Sequence, residues 1–101
     1  MAEFVLSRQA RQDLIEIWTY IAEDNVEAAD RFSETLLDAI RRLASMPGMG
    51  HSRKDLTDQG VLFWPVKSVL VVYRDRTPLE VVRVLSGYRD IAHLLDPPFP
   101  E

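Results

Sequence analysis

The stretch Val69–Tyr73 limits the possible folds more than any other part of the sequence, because as a strand it places apolar side chains on both faces. A strand of that kind belongs in the centre of a sheet, with a neighbour on each side. Residues 61–66 and 79–85 are strand candidates that can flank a central strand at 68–74. Residues 75–78 form the predicted hairpin turn between the last two strands. The second half of the chain is therefore predicted to contribute three strands to one sheet.

The first half of the chain shows helical periodicity instead. One helix is predicted from Ser7, whose hydroxyl can cap it, to about Glu23, and a second from Asn25 to the stop at Met46-Pro47-Gly48. The apolar residues that define the two helices recur at intervals of three and four: Ala10, Leu14, Ile17, Ile21, then Ala29, Phe32, Leu36, Ile40 and Leu43. Helices joined by so short a link must fold back as an antiparallel pair.

These elements combine into one α+β domain that spans residues 1–101. Residues 3–6 add a short first strand, so the order is β-α-α-β-β-β. The N-terminal helical hairpin is expected to pack on one face of a mostly antiparallel sheet. A short C-terminal helix is predicted within residues 88–95, and residues 96–101 are expected to form a flexible tail.

The face of the sheet opposite the helices is also predicted to be apolar, because the strand at 61–66 is hydrophobic on both sides. A large exposed apolar face is uncommon on a monomeric soluble protein. The sequence is compatible with two ways of burying this face. Either the tail and the loop at 47–60 fold over this face, or a partner protein covers it.

Composition narrows the class of function. The sequence has no cysteine and only two, widely separated, histidines, His51 and His93, so neither a metal site nor a cofactor is expected. The net charge of −4 argues against direct sequence-specific binding of nucleic acid. No apolar run approaches the ~20 residues of a membrane span, and the N-terminus lacks the order of a signal peptide, so a cytoplasmic location is expected. Nucleotide-binding and zinc-protease motifs are absent from the sequence.

Charge is unevenly distributed along the chain. Residues 1–50 carry five basic and nine acidic side chains, whereas residues 53–89 carry seven basic and four acidic ones. In the first half, Asp13 and Glu16 lie three positions apart and are assigned to a solvated helix face. The second half is predicted to present a locally positive surface.

The candidate target-binding residues lie in and after the last two strands: Arg74, Arg83, Tyr88, Arg89 and Asp90. We expect several of them to converge at one end of the sheet, and strand alternation places Arg83 on the same side as Val81 and Leu85. A structural role is the alternative. In that case Arg83 pairs with a carboxylate, or Arg89 with Asp90, to fix the C-terminal segment.

Several stretches resemble the RelE/ParE toxin family of bacterial type II toxin–antitoxin systems, in particular its ParE branch. The resemblance is carried by the first helix from Asp13 to Ile21, the Pro47-Gly48-Met49-Gly50 stop and the closing stretch Val82–Asp90. It covers about residues 4–91. The order of elements predicted above is also the order found in this family.

The resemblance implies one of two activities. ParE-type toxins poison DNA gyrase, whereas RelE-type toxins are ribosome-dependent mRNA endonucleases that use basic residues and often a tyrosine. The position of a RelE-type arginine falls here on Leu62, that of the tyrosine falls near Leu95, and only the arginine after the last strand is kept, as Arg89. Leucine can act neither as an acid nor as a base, and it cannot stabilise a phosphate. A non-enzymatic gyrase inhibitor is therefore the favoured hypothesis, and the endonuclease is the alternative.

The resemblance also implies a ParD-like antitoxin and a heteromeric toxin–antitoxin complex. Trp18, Phe63 and Trp64 are the predicted anchors for the antitoxin, because large aromatic side chains dominate such interfaces. ParE toxins often carry histidine where this chain has Ser86 and arginine where it has Tyr88, and an arginine at the position of Leu62 is common among them as well. An attenuated toxin that acts only by binding its antitoxin is therefore a third hypothesis.

Overall fold

A computed structural model describes residues 3–53 and 60–86. Within these residues, two helices pack on a four-stranded mixed sheet, which confirms the predicted α+β class. The elements are β1 (Phe4–Leu6), α1 (Arg8–Ala22), α2 (Val26–Ser45), a 3-10 turn (Pro47–Met49), β2 (Leu62–Val66), β3 (Val69–Arg74) and β4 (Leu79–Ser86). The predicted C-terminal helix at 88–95 and the tail at 96–101 lie outside the described residues.

The described strands form one sheet in the order β1-β4-β3-β2. β3 pairs antiparallel with both β2 and β4, while β1 pairs parallel to β4. Val71 and Val72 point to opposite faces of β3, and both are 0% exposed. This burial on both sides confirms the prediction of a central strand.

Both helices begin where the sequence places their caps. The Ser7 hydroxyl accepts a hydrogen bond from the Ala10 N–H at 3.0 Å, and the Asn25 side chain accepts one from the Ala28 N–H at 3.0 Å. Each cap satisfies a backbone donor that the first turn of a helix leaves without an intrahelical partner. Neither helix in the described part of the chain is both long enough and apolar enough to cross a lipid bilayer.

Two hydrophobic clusters lie on the two faces of the sheet. The main core fills the space between helices and sheet and includes Ala10, Leu36, Ile40, Leu43, Val69, Val71, Tyr73, Leu79, Val81 and Val84. The second cluster lies on the opposite face and consists of Val61, Phe63, Leu70, Val72, Val82 and Leu85, each at most 6% exposed. The six side chains of this second cluster are therefore buried in the structure of the single chain.

The register between β3 and β4 shifts by one residue at Val82, which has no Cα partner in β3. An extra residue of this kind is a β-bulge, and it changes the phase of the side chains that follow. As a result, Val81 lies in the main core whereas Leu85 lies in the second cluster. The prediction that Val81, Arg83 and Leu85 share one side is therefore wrong, because simple alternation does not continue through the bulge.

Candidate functional site

Two side chains from the start of the helical hairpin continue the contacts of β1 along β4. β1 has three residues and β4 has eight, so among the described residues part of one edge of β4 has no neighbouring strand. The Ser7 hydroxyl donates to the Val82 carbonyl oxygen at 2.7 Å, and the Asp13 carboxylate accepts from the Val84 N–H at 2.9 Å. Since buried backbone groups require partners, these two residues attach α1 directly to the last strand.

The Asp13 carboxylate also binds Arg83 through both of its oxygens. Arg83 Nε donates to Asp13 Oδ2 at 2.8 Å, and Arg83 Nη2 donates to Asp13 Oδ1 at 3.0 Å. The Asp13 side chain is only 12% exposed and the Arg83 side chain 17%. Hydrogen bonding to Asp13 is the main reason that the pKa of Arg83 lies above its ordinary value, although desolvation acts in the opposite direction. We call this arrangement of Ser7, Asp13, Arg83 and Val84 the α1–β4 junction.

Asp13 therefore does not lie on a solvated helix face, and that prediction is wrong for this residue. The sequence does contain a signal that Asp13 is buried, although it does not specify the partner. Asp13 lies three positions after Ala10 and four before Ile17, which places it on the same stripe as these core residues. A carboxylate on an apolar stripe needs a partner when it is buried, and an arginine inside a hydrophobic strand is a suitable partner.

A second group of charges lies closer to the β3–β4 turn. Arg74 Nη1 and Arg76 Nη1 donate to the same oxygen, Glu80 Oε1, at 2.9 Å and 3.0 Å. Arg74 and Glu80 are 16% and 14% exposed, whereas Arg76 is 63% exposed. The structure thus holds Arg74 and Arg83 in two different ion pairs, with Glu80 and Asp13 respectively.

An open cleft of about 410 Å³ adjoins this charged group. Its lining residues are Ser52, Gly60, Val61, Leu62, Arg74, Asp75 and Arg76. Leu62 is the first residue of β2, so an apolar side chain stands where a RelE-type arginine is expected. The cleft therefore combines two cations and one carboxylate with an apolar wall.

Tyr73 attaches the segment after α2 to the central strand. Its hydroxyl accepts from the Gly50 N–H at 2.9 Å and donates to the Pro47 carbonyl oxygen. Tyr73 is 0% exposed, and burial raises its pKa by more than the hydrogen bond from Gly50 lowers it. The apolar pattern identifies Tyr73 as a core residue, but it does not reveal this second role.

Replacing Tyr73 by phenylalanine is expected to lower the free energy of unfolding by about 1–3 kcal/mol, because the Gly50 N–H and the Pro47 carbonyl lose a buried partner. The substitution should also change the pH dependence. Since the folded state raises the pKa of Tyr73, its contribution is complete below about pH 10, the ordinary value for tyrosine, and is lost as the pH rises through the folded value. Urea unfolding of the unmodified chain and of Tyr73→Phe at pH 8 and pH 11 measures how much stability each protein loses between the two pH values. Equal losses of stability in both proteins over that interval would contradict the prediction.

The three predicted antitoxin anchors do not form one surface. Trp18 is half-buried, and its indole N–H donates to Asp30 on α2 at 2.9 Å. Phe63 and Trp64 are adjacent on β2 and therefore point to opposite faces: Phe63 is 2% exposed in the second cluster, and Trp64 packs against the main core. His51 stacks on Trp64 with 6.1 Å between ring centroids. Their part in antitoxin binding stays a prediction.

The other three candidate residues, Tyr88, Arg89 and Asp90, lie outside the described residues. The sequence places them shortly after Ser86, the last residue of β4. Of the two charged groups described above, the α1–β4 junction therefore lies nearer to them along the chain. A role in target binding stays a prediction for all five candidates, including Arg74 and Arg83.

The fold has a counterpart among solved structures. A chain from the structure of the chromosomal ParDE TA system from P. aeruginosa matches this chain with a TM-score of 0.69, over 85% of this chain and 96% of that chain. The sequence identity is 18%, so this likeness concerns the fold alone. The two helices and the mixed sheet therefore form an α+β fold that this solved chain shares.

Sequence comparison identifies the family. The family model for the ParE toxin of the type II toxin–antitoxin system parDE matches residues 4–91. Toxin ParE1 from Caulobacter vibrioides is 36% identical over 86 residues, which cover 84% of this chain and 88% of that relative. The chain belongs to the ParE toxin family of type II toxin–antitoxin systems, and the resemblance found in the sequence is confirmed.

Proposed function

We propose that this chain inhibits DNA gyrase by binding rather than by catalysis, and that a ParD-like antitoxin neutralises it. Family membership supports the toxin role. The observation that supports a non-enzymatic mode is Leu62 at the wall of the cleft, since cleavage of RNA requires a base, an acid and a charge that stabilises phosphate. A half-buried leucine supplies none of these groups.

The arrangement of the arginines supports the same mode of action. Arg83 forms two hydrogen bonds with Asp13, and this ion pair connects α1 to β4. Arg74 forms an ion pair with Glu80, which is itself only 14% exposed. Each cation is thus close to a carboxylate that reduces its attraction for an RNA phosphate.

One observation favours the second candidate function, a ribosome-dependent endonuclease. Arg74, Asp75 and Arg76 line the same cleft, and a carboxylate beside two cations has the group types needed to activate a ribose hydroxyl and bind a phosphate. Asp75 is exposed, so it is accessible to a substrate. The two candidates are therefore distinguished by the nucleic acid that is cleaved, which is plasmid DNA in the presence of gyrase for the first and mRNA on ribosomes for the second.

The deciding experiment uses the purified chain in two assays. With gyrase, ATP and supercoiled plasmid, we expect the chain to cause accumulation of cleaved plasmid, whereas mRNA on programmed ribosomes should stay intact. Cleavage of mRNA in the second assay would overturn the proposal in favour of the endonuclease. Undisturbed growth during expression of the chain alone would instead favour the attenuated toxin that only binds its antitoxin.

Three variants help to distinguish the gyrase inhibitor from the endonuclease. Arg89→Ala is expected to weaken gyrase poisoning at least tenfold. Arg89 follows the last strand, and it is the one arginine of the toxin family's pattern that this chain retains. Asp75→Asn and Arg76→Ala change the cleft and should leave poisoning unchanged. Urea unfolding of each variant separates loss of toxicity from loss of folding. The endonuclease hypothesis differs at the cleft, where it predicts loss of mRNA cleavage in Asp75→Asn.

A further inference from the structure

The second cluster is buried more deeply than the described residues around it explain. Its six side chains are each at most 6% exposed. Both helices pack on the opposite face of the sheet, where the partly buried Leu14, Ile17 and Phe32 surround the main core. Within residues 3–53 and 60–86, no partly buried apolar side chain packs against the second cluster in this way. Since side chains on a bare sheet face stay accessible to water, this burial requires further atoms of the same chain above the face.

Composition selects the part of the chain that supplies these atoms. Residues 1–2 are too few to cover six side chains. Residues 54–59 contain one large apolar side chain, Leu56, together with one basic and two acidic ones. Residues 88–95, by contrast, carry apolar side chains at the spacing of one helix face: Ile91, Leu94 and Leu95.

We propose that residues 88–95 dock as a short helix on the second cluster, with their apolar side against the sheet. The chain leaves β4 at a suitable place, because Leu85, one residue before the end of β4, belongs to the cluster and pairs with Leu70. A helix with its side chains is ~10 Å wide and neighbouring strands are ~4.8 Å apart, so one helix spans β2, β3 and β4. Leu94 and Leu95 lie beyond the residues 4–91 that match the toxin family.

Docking in this orientation presents Arg89 on the accessible side of the helix. Helical positions repeat every 3.6 residues, so Arg89 and His93, four positions apart, share the side opposite Ile91. The Arg89 guanidinium is then accessible to a target, in contrast to that of Arg83, which Asp13 binds through two hydrogen bonds. The docked helix thus positions Arg89 for target binding, and this role rests on the proposed inhibition of gyrase.

Thiol labelling of the full chain tests the docking, because the sequence contains no cysteine. Val72→Cys places a single thiol in the second cluster, and Val71→Cys places one in the main core; both valines are 0% exposed. The readout is the ratio of their rates of reaction with iodoacetamide, second cluster over main core. Leu94→Asp combined with Leu95→Asp should raise this ratio about tenfold or more, since it releases only the docked helix.

Matched variants make the labelling decisive. His93→Asp adds a charge on the opposite side of the helix and should leave the ratio unchanged. An unchanged ratio in the double variant, or a rise with Leu56→Asp instead, would overturn the docking. Should the two charges unfold the chain, Leu94→Ala replaces them, with an expected rise of about threefold.

Other occupants of this face give a different labelling pattern. Rapid reaction of Val72→Cys in the dilute, otherwise unmodified chain, with protection at high concentration, would assign the face to a second copy. Protection only after addition of an antitoxin would assign it to that partner. Either result would overturn the proposal.

The gyrase assay tests the positioning of Arg89. Leu94→Asp with Leu95→Asp retains Arg89 but should weaken gyrase poisoning about tenfold, and adding Arg89→Ala should weaken it no further, because both changes remove the same contact. Unchanged poisoning, or a full additional loss with Arg89→Ala, would overturn the positioning role. A full chain without effect on gyrase would contradict the proposed function, whereas the labelling ratio decides the docking without gyrase.

Discussion

Replacing Asp13 by alanine is expected to lower the free energy of unfolding by about 3 kcal/mol, at the low end of the range for breaking a buried ion pair. The loss has two sources. The Arg83 guanidinium, which is 17% exposed, loses the carboxylate that neutralises it, and the Val84 N–H loses its acceptor. Urea unfolding at neutral pH measures the change. A loss of less than about 1 kcal/mol would show that water replaces the carboxylate at the α1–β4 junction.

The chain contains a matched control for this substitution. Asp38 and Arg41 form an ion pair of similar length, 2.9 Å, but their side chains are 75% and 61% exposed. Replacing Asp38 by alanine should therefore change stability by less than about 1 kcal/mol. A double-mutant cycle with Asp13→Ala and Arg83→Met isolates the coupling energy. We expect the double variant to be less destabilised than the sum of the two single ones, since it leaves no buried charge without a partner.

Replacing Gly50 by alanine is expected to cost about 3 kcal/mol. The backbone at Gly50 has φ −71°, which any residue can adopt, so conformational freedom is not the reason for glycine. The reason is space, because an added Cβ would lie 2.8 Å from two carbons of the Tyr73 ring and even nearer to its hydroxyl oxygen. Tyr73 must then move and weaken its hydrogen bonds to the segment after α2. Thermal or urea unfolding checks the size of the effect.

Gly48, two residues earlier in the same segment, is the control. A Cβ at Gly48 meets no atom within 4 Å, so alanine should be neutral or stabilising by up to about 1 kcal/mol. Combining Gly50→Ala with Tyr73→Phe should cost less than the two single losses together, because the hydroxyl that lies closest to the added methyl group is absent. Similar losses at Gly48 and Gly50 would show that the close approach to Tyr73 is not the cause.

Local features of the fold were predictable from the sequence. Ser7 and Asn25 cap their helices as expected, since a cap depends on side chains within three positions. Pro47 marks the end of α2, because its ring prevents continuation of the helix. The β3 strand is buried on both faces, as its continuous run of apolar residues indicates.

The candidate site was predicted less completely. The sequence identifies Arg83 because it interrupts a hydrophobic strand, but simple alternation wrongly places it on one side with both Val81 and Leu85, since the bulge at Val82 changes the phase. Helix periodicity predicts a solvated face for Asp13, whereas its carboxylate accepts three hydrogen bonds from β4. The size of Phe63 makes it a predicted anchor, but its side chain is 2% exposed and offers little accessible surface to a partner.

The sequence by itself determined the kinds of elements, their order and the membership of the ParE family, because these depend on residues a few positions apart and on motifs along the chain. Tertiary structure alone decided which carboxylate binds Arg83 and which strand lies beside β4. The Asp13–Arg83 pair joins residues separated by 70 positions, and β1 lies beside β4 rather than beside the strand that follows it in sequence. Such contacts follow from the packing of all elements together, so no local pattern specifies them.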